Sequence, residues 1–187
     1  MSITMNSRHC LIIAIVTVLS LFFCVLSFRD RRCVAYDSLI TAIVANDTSA
    51  VKVALDDGAN VNDIPVDEGV LPLAAAAREG NVEIVRLLLD YGANINGFDG
   101  WQSALSAAAD NDQTAVIEFL IARGAHGRDD ALMCAAVDGK VAAVRVLLAH
   151  GANPNSGSDK GEETLLHAVE KNHHPDVAAL LLRAGAK

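Results

Sequence analysis

Aromatic side chains are scarce in this chain. Of 187 residues, 4% are Phe, Tyr or Trp, and Trp occurs once. A β-sandwich or barrel needs strands rich in aromatic and β-branched residues, so this composition favours packed helices with small residues at their close contacts. Basic residues are also in deficit, 15 Lys and Arg against 23 Asp and Glu, for a net charge of −8. That balance disfavours nucleic acid as a partner, because phosphate backbones are held by clustered cations. Four cysteines with no Cys-x-x-Cys pair do not make a disulfide framework in a chain this long. No Gly-rich phosphate loop occurs either. Gly157-Ser158-Asp159-Lys160-Gly161 does not precede a helix at nucleotide-loop spacing. His167, His173 and His174 lack the three or four ligands at fixed geometry that a metal needs. The expectation is therefore a protein that is not an enzyme, with no cofactor, no metal and no small-molecule substrate.

What the chain does contain is unevenly distributed. Residues 1–33 hold Arg8, Arg29, Arg31 and Arg32 against Asp30, a net +3, which leaves −11 for the remainder. Between Cys10 and Phe28 there is no charge at all. As a helix this run reaches about 28 Å, close to a hydrocarbon core of about 30 Å. The segment predicts a short tail over 1–9, a transmembrane or signal-anchor helix over 10–28, and a basic linker over 29–35. No small-x-small cleavage site follows the run, which favours an uncleaved anchor. A cleaved or lipidated signal is the alternative, since Leu21-Phe22-Phe23-Cys24 partly matches a lipoprotein box. The arginines after the span place the C-terminal part on the cytoplasmic face of a single-pass membrane protein. A periplasmic or otherwise extracytoplasmic location is the alternative for a segment so near the N-terminus.

The rest of the chain repeats. Gly-Ala recurs at Gly58, Gly92, Gly124, Gly151 and Gly185, each with Leu or Ile three residues earlier. A Leu lies 19 residues before each glycine: Leu39, Leu73, Leu105, Leu132 and Leu166, at intervals of 34, 32, 27 and 34. Three residues after these come Ala42, Ala76, Ala108, Ala135 and Val169, small side chains that let helices approach. Twelve residues before each glycine stand Asn46, Gly80, Asp112, Gly139 and His173, which tolerate positive φ better than other types and so predict a tight turn between two helices. The recurring glycine reads as the stop of the second helix. No such helix pair can bury its apolar face alone, and stacking supplies the core.

In Gly69-Val70-Leu71-Pro72-Leu73-Ala74-Ala75-Ala76-Ala77-Arg78-Glu79-Gly80, in Val85-Arg86-Leu87-Leu88-Leu89-Asp90-Tyr91-Gly92-Ala93-Asn94-Ile95-Asn96, and in Thr164-Leu165-Leu166-His167, the sequence resembles ankyrin repeats. The resemblance covers about residues 34–187, and the first unit is the most divergent. It implies an all-α ankyrin-repeat solenoid of stacked helix-turn-helix units behind one transmembrane helix. The repeat domain spans 36–187, with units near 36–66, 67–97, 98–127, 128–158 and 159–187.

By position, the resemblance puts partner-binding residues on the finger loops and on the exposed face of the first helices. The candidates are Asp67, Glu68, Arg78 and Glu79; Phe98, Trp101, Gln102, Asp110 and Asn111; Asp129 and Asp138; and Glu162, Glu163, Lys171 and Asn172. The row is mostly acidic, which points to a protein partner with a basic surface. Trp101 is a candidate anchor; alternatively it and Phe98 pack against their own hairpin. Cys134 reads as a small buried hydrophobe. From Gly124 to Leu132 is only 8 residues, against 15, 13 and 15 elsewhere. This is either a tolerated loop deletion or a notch for a bulky part of the partner. The implied function is a non-catalytic, membrane-tethered protein-interaction module. The alternatives are an immunity protein neutralising a bacterial toxic effector, for example a lipid-degrading one, and a membrane-tethered scaffold or chaperone-like factor supporting an enzyme.

Overall fold

The computed structural model describes residues 34–64, 69–98, 102–156 and 164–187. Ten helices run through them: α1 over 34–44, α2 Thr48–Asp56, α3 Pro72–Glu79, α4 Val82–Asp90, α5 Ala104–Asp110, α6 Thr114–Ala122, α7 Arg128–Val137, α8 Val141–Ala149, α9 Leu165–Lys171 and α10 Pro175–Arg183. Among the described residues no strand forms. A single antiparallel bridge joins Phe98 to Ser103 at the base of one finger.

The helices lie in two layers. First helices α3, α5, α7 and α9 stack in order, as do second helices α2, α4, α6, α8 and α10. Ala76, Ala108 and Ala135 are completely buried where first helices meet. A larger side chain there would hold the helices apart, an overpacking that costs about 1–3 kcal/mol. Leu39, Leu105 and Leu132 are buried from the first layer, and Leu88, Leu120, Leu147 and Leu181 from the second. Leu166 breaks the series: it is only half-buried, and its neighbour Leu165 takes the inward place.

All five expected turn residues are left-handed. Asn46, Asp112 and His173 have φ of 58°, 58° and 62°, and Gly80 and Gly139 have 82° and 71°. The helix-ending glycines lie between 83° and 96°. Helix starts are capped where the sequence supplies a short polar side chain. Asn81 accepts from the Glu83 and Ile84 amides, Ser103 from Ser106, and Thr164 from His167. In α3 and α10, proline occupies the first turn, where its missing N–H is no loss.

Hydrogen bonds along the array tie each unit to the next. Asn62 Oδ1 accepts the Asn94 amide (2.8 Å), Asn96 Oδ1 that of His126 (2.9 Å), and Asn155 Oδ1 that of Lys187 (2.9 Å). In the divergent first unit the Tyr36 hydroxyl donates to Val70 O and accepts from Val70 N–H.

The expected single-pass membrane localisation is corrected. No helix among the described residues is long and apolar enough to cross a membrane. They are short, with α2–α10 spanning at most 10 residues each, and nearly all of their charged residues stay exposed while one side packs into the array. The anchor expected over 10–28 and most of the linker expected over 29–35 lie outside the described residues.

Candidate functional site

α3, α5 and α7 bring four of the expected residues into one row. Arg78 is exposed near the end of α3, Gln102 is half-buried on the return of the finger into α5, Asp110 closes α5, and Asp138 caps α7. The Gln102 amide satisfies both neighbours when its oxygen accepts from Arg78 Nη2 (2.5 Å) and its nitrogen donates to Asp110 Oδ2 (3.2 Å). Gln102 thereby bridges two successive repeats. Burial is the main cause that pushes the Asp110 carboxyl above its ordinary value, and the negative charge of Asp138 adds to it. A hydrogen bond from the Cys134 thiol and the charges of Arg78 and Lys140 oppose the rise.

Cys134 belongs to this row, although its sequence position suggests only a small core residue. It is half-buried, and its thiol is pushed up to about 11, chiefly by burial and then by the charges of Asp110, Asp130 and Asp138. Its sequence signal is the register: it stands two residues after Leu132, as Ala75 and Ala107 stand two after Leu73 and Leu105.

Other expected residues do structural work. Asn111 caps α5 and donates from Nδ2 to Ala107 O (2.9 Å). Asn172 caps α9 and reaches Val137 O of the preceding repeat (3.5 Å). Asp129, in the first turn of α7, accepts the Asn153 backbone amide (2.8 Å), just after α8. Glu79 ends α3 and Lys171 ends α9, both exposed. Phe98 is 64% exposed at its bridge with Ser103. Asp67, Glu68, Trp101, Glu162 and Glu163 lie outside the described residues. Among the described residues, no three metal-ligating side chains come together.

The family model described as ankyrin repeats (3 copies) matches residues 23–99, 39–130 and 105–187. The chain belongs to the ankyrin-repeat family. Over 89 residues, 45% of the chain, it is 40% identical to ankyrin repeat, SAM and basic leucine zipper domain-containing protein 1 of Oryctolagus cuniculus, covering 18% of that protein. It is 37% identical over 90 residues, 48% of the chain, to zygote-specific protein 3 of Chlamydomonas reinhardtii, of which it covers 24%. It is 39% identical over 92 residues, 48% of the chain, to ankyrin repeat and KH domain-containing protein 1 of Homo sapiens, of which it covers 4%. The chain thus spans less than a quarter of the length of each of these relatives. An ankyrin-repeat array is a protein-interaction module.

Proposed function

We propose that the array binds a protein partner, without catalysis, along the first helices and fingers, and that the partner presents a basic surface there. The observation that supports this is the Arg78–Gln102–Asp110 chain with Asp138 beside it. An oriented amide bridges two repeats on an open face, and a half-buried carboxylate is kept there although burial disfavours its charge. A carboxylate held against its own desolvation is poised to gain when a cation arrives. The acidic residues Glu79, Asp129 and Asp130 extend the same charge around the row. In this reading Asp67, Glu68, Phe98 and Trp101 continue the surface along the fingers, Glu162, Glu163, Lys171 and Asn172 continue it toward the last unit, and Asn111 is the rim of the central row.

The test is affinity capture with the full chain, compared with a Gln102→Ala, Asp110→Ala, Asp138→Ala variant, with captured proteins identified by mass spectrometry. A protein retained by the parent and lost by the variant is the expected result. Equal capture by both would reject this surface.

A further inference from the structure

Three asparagines that follow helix-ending glycines are built alike. Asn62, Asn96 and Asn155 are all exposed. Each backbone N–H donates to the side-chain oxygen two residues earlier, on Asn60, Asn94 or Asn153, at 3.0, 3.1 and 3.0 Å. Each side-chain oxygen accepts a backbone amide of the following unit, from Asn94, His126 or Lys187. The N–H of the residue after each asparagine closes a turn onto Asn60 O, Asn94 O or Asn153 O, at 3.1, 2.9 and 3.0 Å.

Asn96 departs from the other two in two respects. Nδ2 of Asn62 donates to Gly92 O and that of Asn155 to Gly185 O, at 2.9 and 3.2 Å. Among the described residues Nδ2 of Asn96 has no such acceptor. Asp63 and Ser156 follow the other two, whereas Gly97 follows Asn96 in the only Asn-Gly pair of the chain. Glycine leaves its own nitrogen least shielded and lets the backbone reach conformations closed to other residues. Packing holds the pair in place: a Cβ on Gly97 would lie 2.9 Å from Leu71 Cδ1 and 3.1 Å from Asn94 O.

We propose that Asn96-Gly97 is a site of spontaneous modification that loosens the joint between the second and third units. The Gly97 nitrogen loses its proton to hydroxide and attacks Asn96 Cγ. A C–N bond forms, the Cγ–Nδ2 bond breaks, and Nδ2 takes a proton from water and leaves as ammonia. Water then opens the cyclic imide at either carbonyl, giving aspartate or isoaspartate. The His126 N–H, 2.9 Å from Oδ1, stabilises the negative charge that develops on that oxygen as Cγ becomes tetrahedral. All three asparagines have such a donor, but only Asn96 combines it with a glycine nitrogen and an untethered leaving group. The aspartate product keeps the acceptor for His126. The isoaspartate product lengthens the backbone by one atom and shortens the pendant carboxylate, which withdraws the acceptor and shifts the base of the finger at Phe98. The proposal is independent of the polar row on the first helices.

The test holds the full chain folded at neutral and at mildly alkaline pH. Peptide-resolved mass spectrometry, with electron-transfer fragmentation to tell isoaspartate from aspartate, follows the three asparagines. Conversion at Asn96 is expected to exceed that at Asn62 and Asn155 severalfold, and to rise with pH because the attacking nitrogen must lose its proton. Ser156→Gly should speed conversion at Asn155 without reaching the rate at Asn96, since Nδ2 of Asn155 stays bound to Gly185 O. The isoaspartyl form, purified by chromatography, should unfold at lower urea than Asn96→Asp, which keeps the acceptor. Conversion at Asn96 no faster than at Asn155, or only in denaturant, would overturn the proposal. Equal rates at Asn96 and at Asn155 of Ser156→Gly would reject the role of the untethered Nδ2. Equal urea midpoints for the isoaspartyl form and Asn96→Asp would reject the effect on the joint.

Discussion

The Asp129 carboxylate accepts the Asn153 amide at 2.8 Å across the shortest connection in the array. In the corresponding bonds from one unit to the next the acceptor is an asparagine four residues after the helix-ending glycine: Asn62, Asn96 and Asn155. After Gly124 that register holds Arg128, and the next residue takes over from the first turn of α7. Trimming the finger therefore leaves a bond of this kind in place and makes α7 the longest of α2–α10, with 10 residues. Asp129, expected from sequence to face a partner, also ties the start of α7 to the turn after α8.

Asp129→Ala should lower stability by about 1 kcal/mol, the usual net worth of one such hydrogen bond. Asp129→Asn should stay within about 0.5 kcal/mol of the parent, because it keeps the acceptor and loses only a charge favourable at a helix start. It also supplies an amide donor, which from Asn62 and Asn155 reaches Gly92 O and Gly185 O at 2.9 and 3.2 Å. Urea unfolding midpoints at constant slope measure both.

The left-handed turns give a second contrast. His173 carries a side chain at φ 62°, a conformation disfavoured by roughly 1–2 kcal/mol for residues with a Cβ. His173→Gly should therefore stabilise the array by about 1 kcal/mol. Asp112→Gly should gain little or lose, because Asp112 Oδ1 accepts the Ala143 amide at 2.7 Å and glycine cannot. Thermal denaturation of the two single variants side by side checks the difference in sign.

Asp110 has a raised carboxyl pKa, so its ionised form is the one the fold disfavours. The sign follows from linkage: the folded state holds its proton more tightly than the unfolded chain, whose ordinary value is 3.8. Asp110→Asn should be at least as stable as the parent at neutral pH. That advantage should disappear as pH falls from above the raised value toward 3.8. Unfolding both proteins across this window tests it; a gap that widens on acidification would contradict the desolvation argument.

Raising a thiol from 9.0 to about 11 lowers its thiolate fraction at neutral pH about a hundredfold. Cys134 should thus react slowly with iodoacetamide in the folded protein and reach ordinary rates in denaturant. Asp110→Asn should accelerate the folded-state reaction, because one of the opposing charges is removed. Peptide-resolved mass spectrometry separates Cys134 from Cys10, Cys24 and Cys33.

The helix pairs, their turns and their close contacts could be read from residue types because each is a local requirement that recurs. Asn46, Gly80, Asp112, Gly139 and His173 mark the turns through their tolerance of positive φ, and the buried Leu and Ala positions follow from the repeat spacing. Membrane localisation illustrates the limit of such reading. It rested on an apolar run over 10–28 outside the described residues, and none of the described helices is long and apolar enough to cross a membrane.

The polar contacts could not be assigned the same way, because each depends on the spacing and rotation of neighbouring helices. Gln102 bridges Arg78 and Asp110 only because stacking brings α3 beside α5. Arg86 reaches the Phe119 ring only because α4 packs against α6. Asp129 meets the Asn153 amide only because the start of α7 packs beside the turn after α8. Periodicity and conformational preference reside in the residues, so the repeat was readable in one dimension. The meeting of side chains from different repeats is set by a separation of a few ångströms that no single segment encodes.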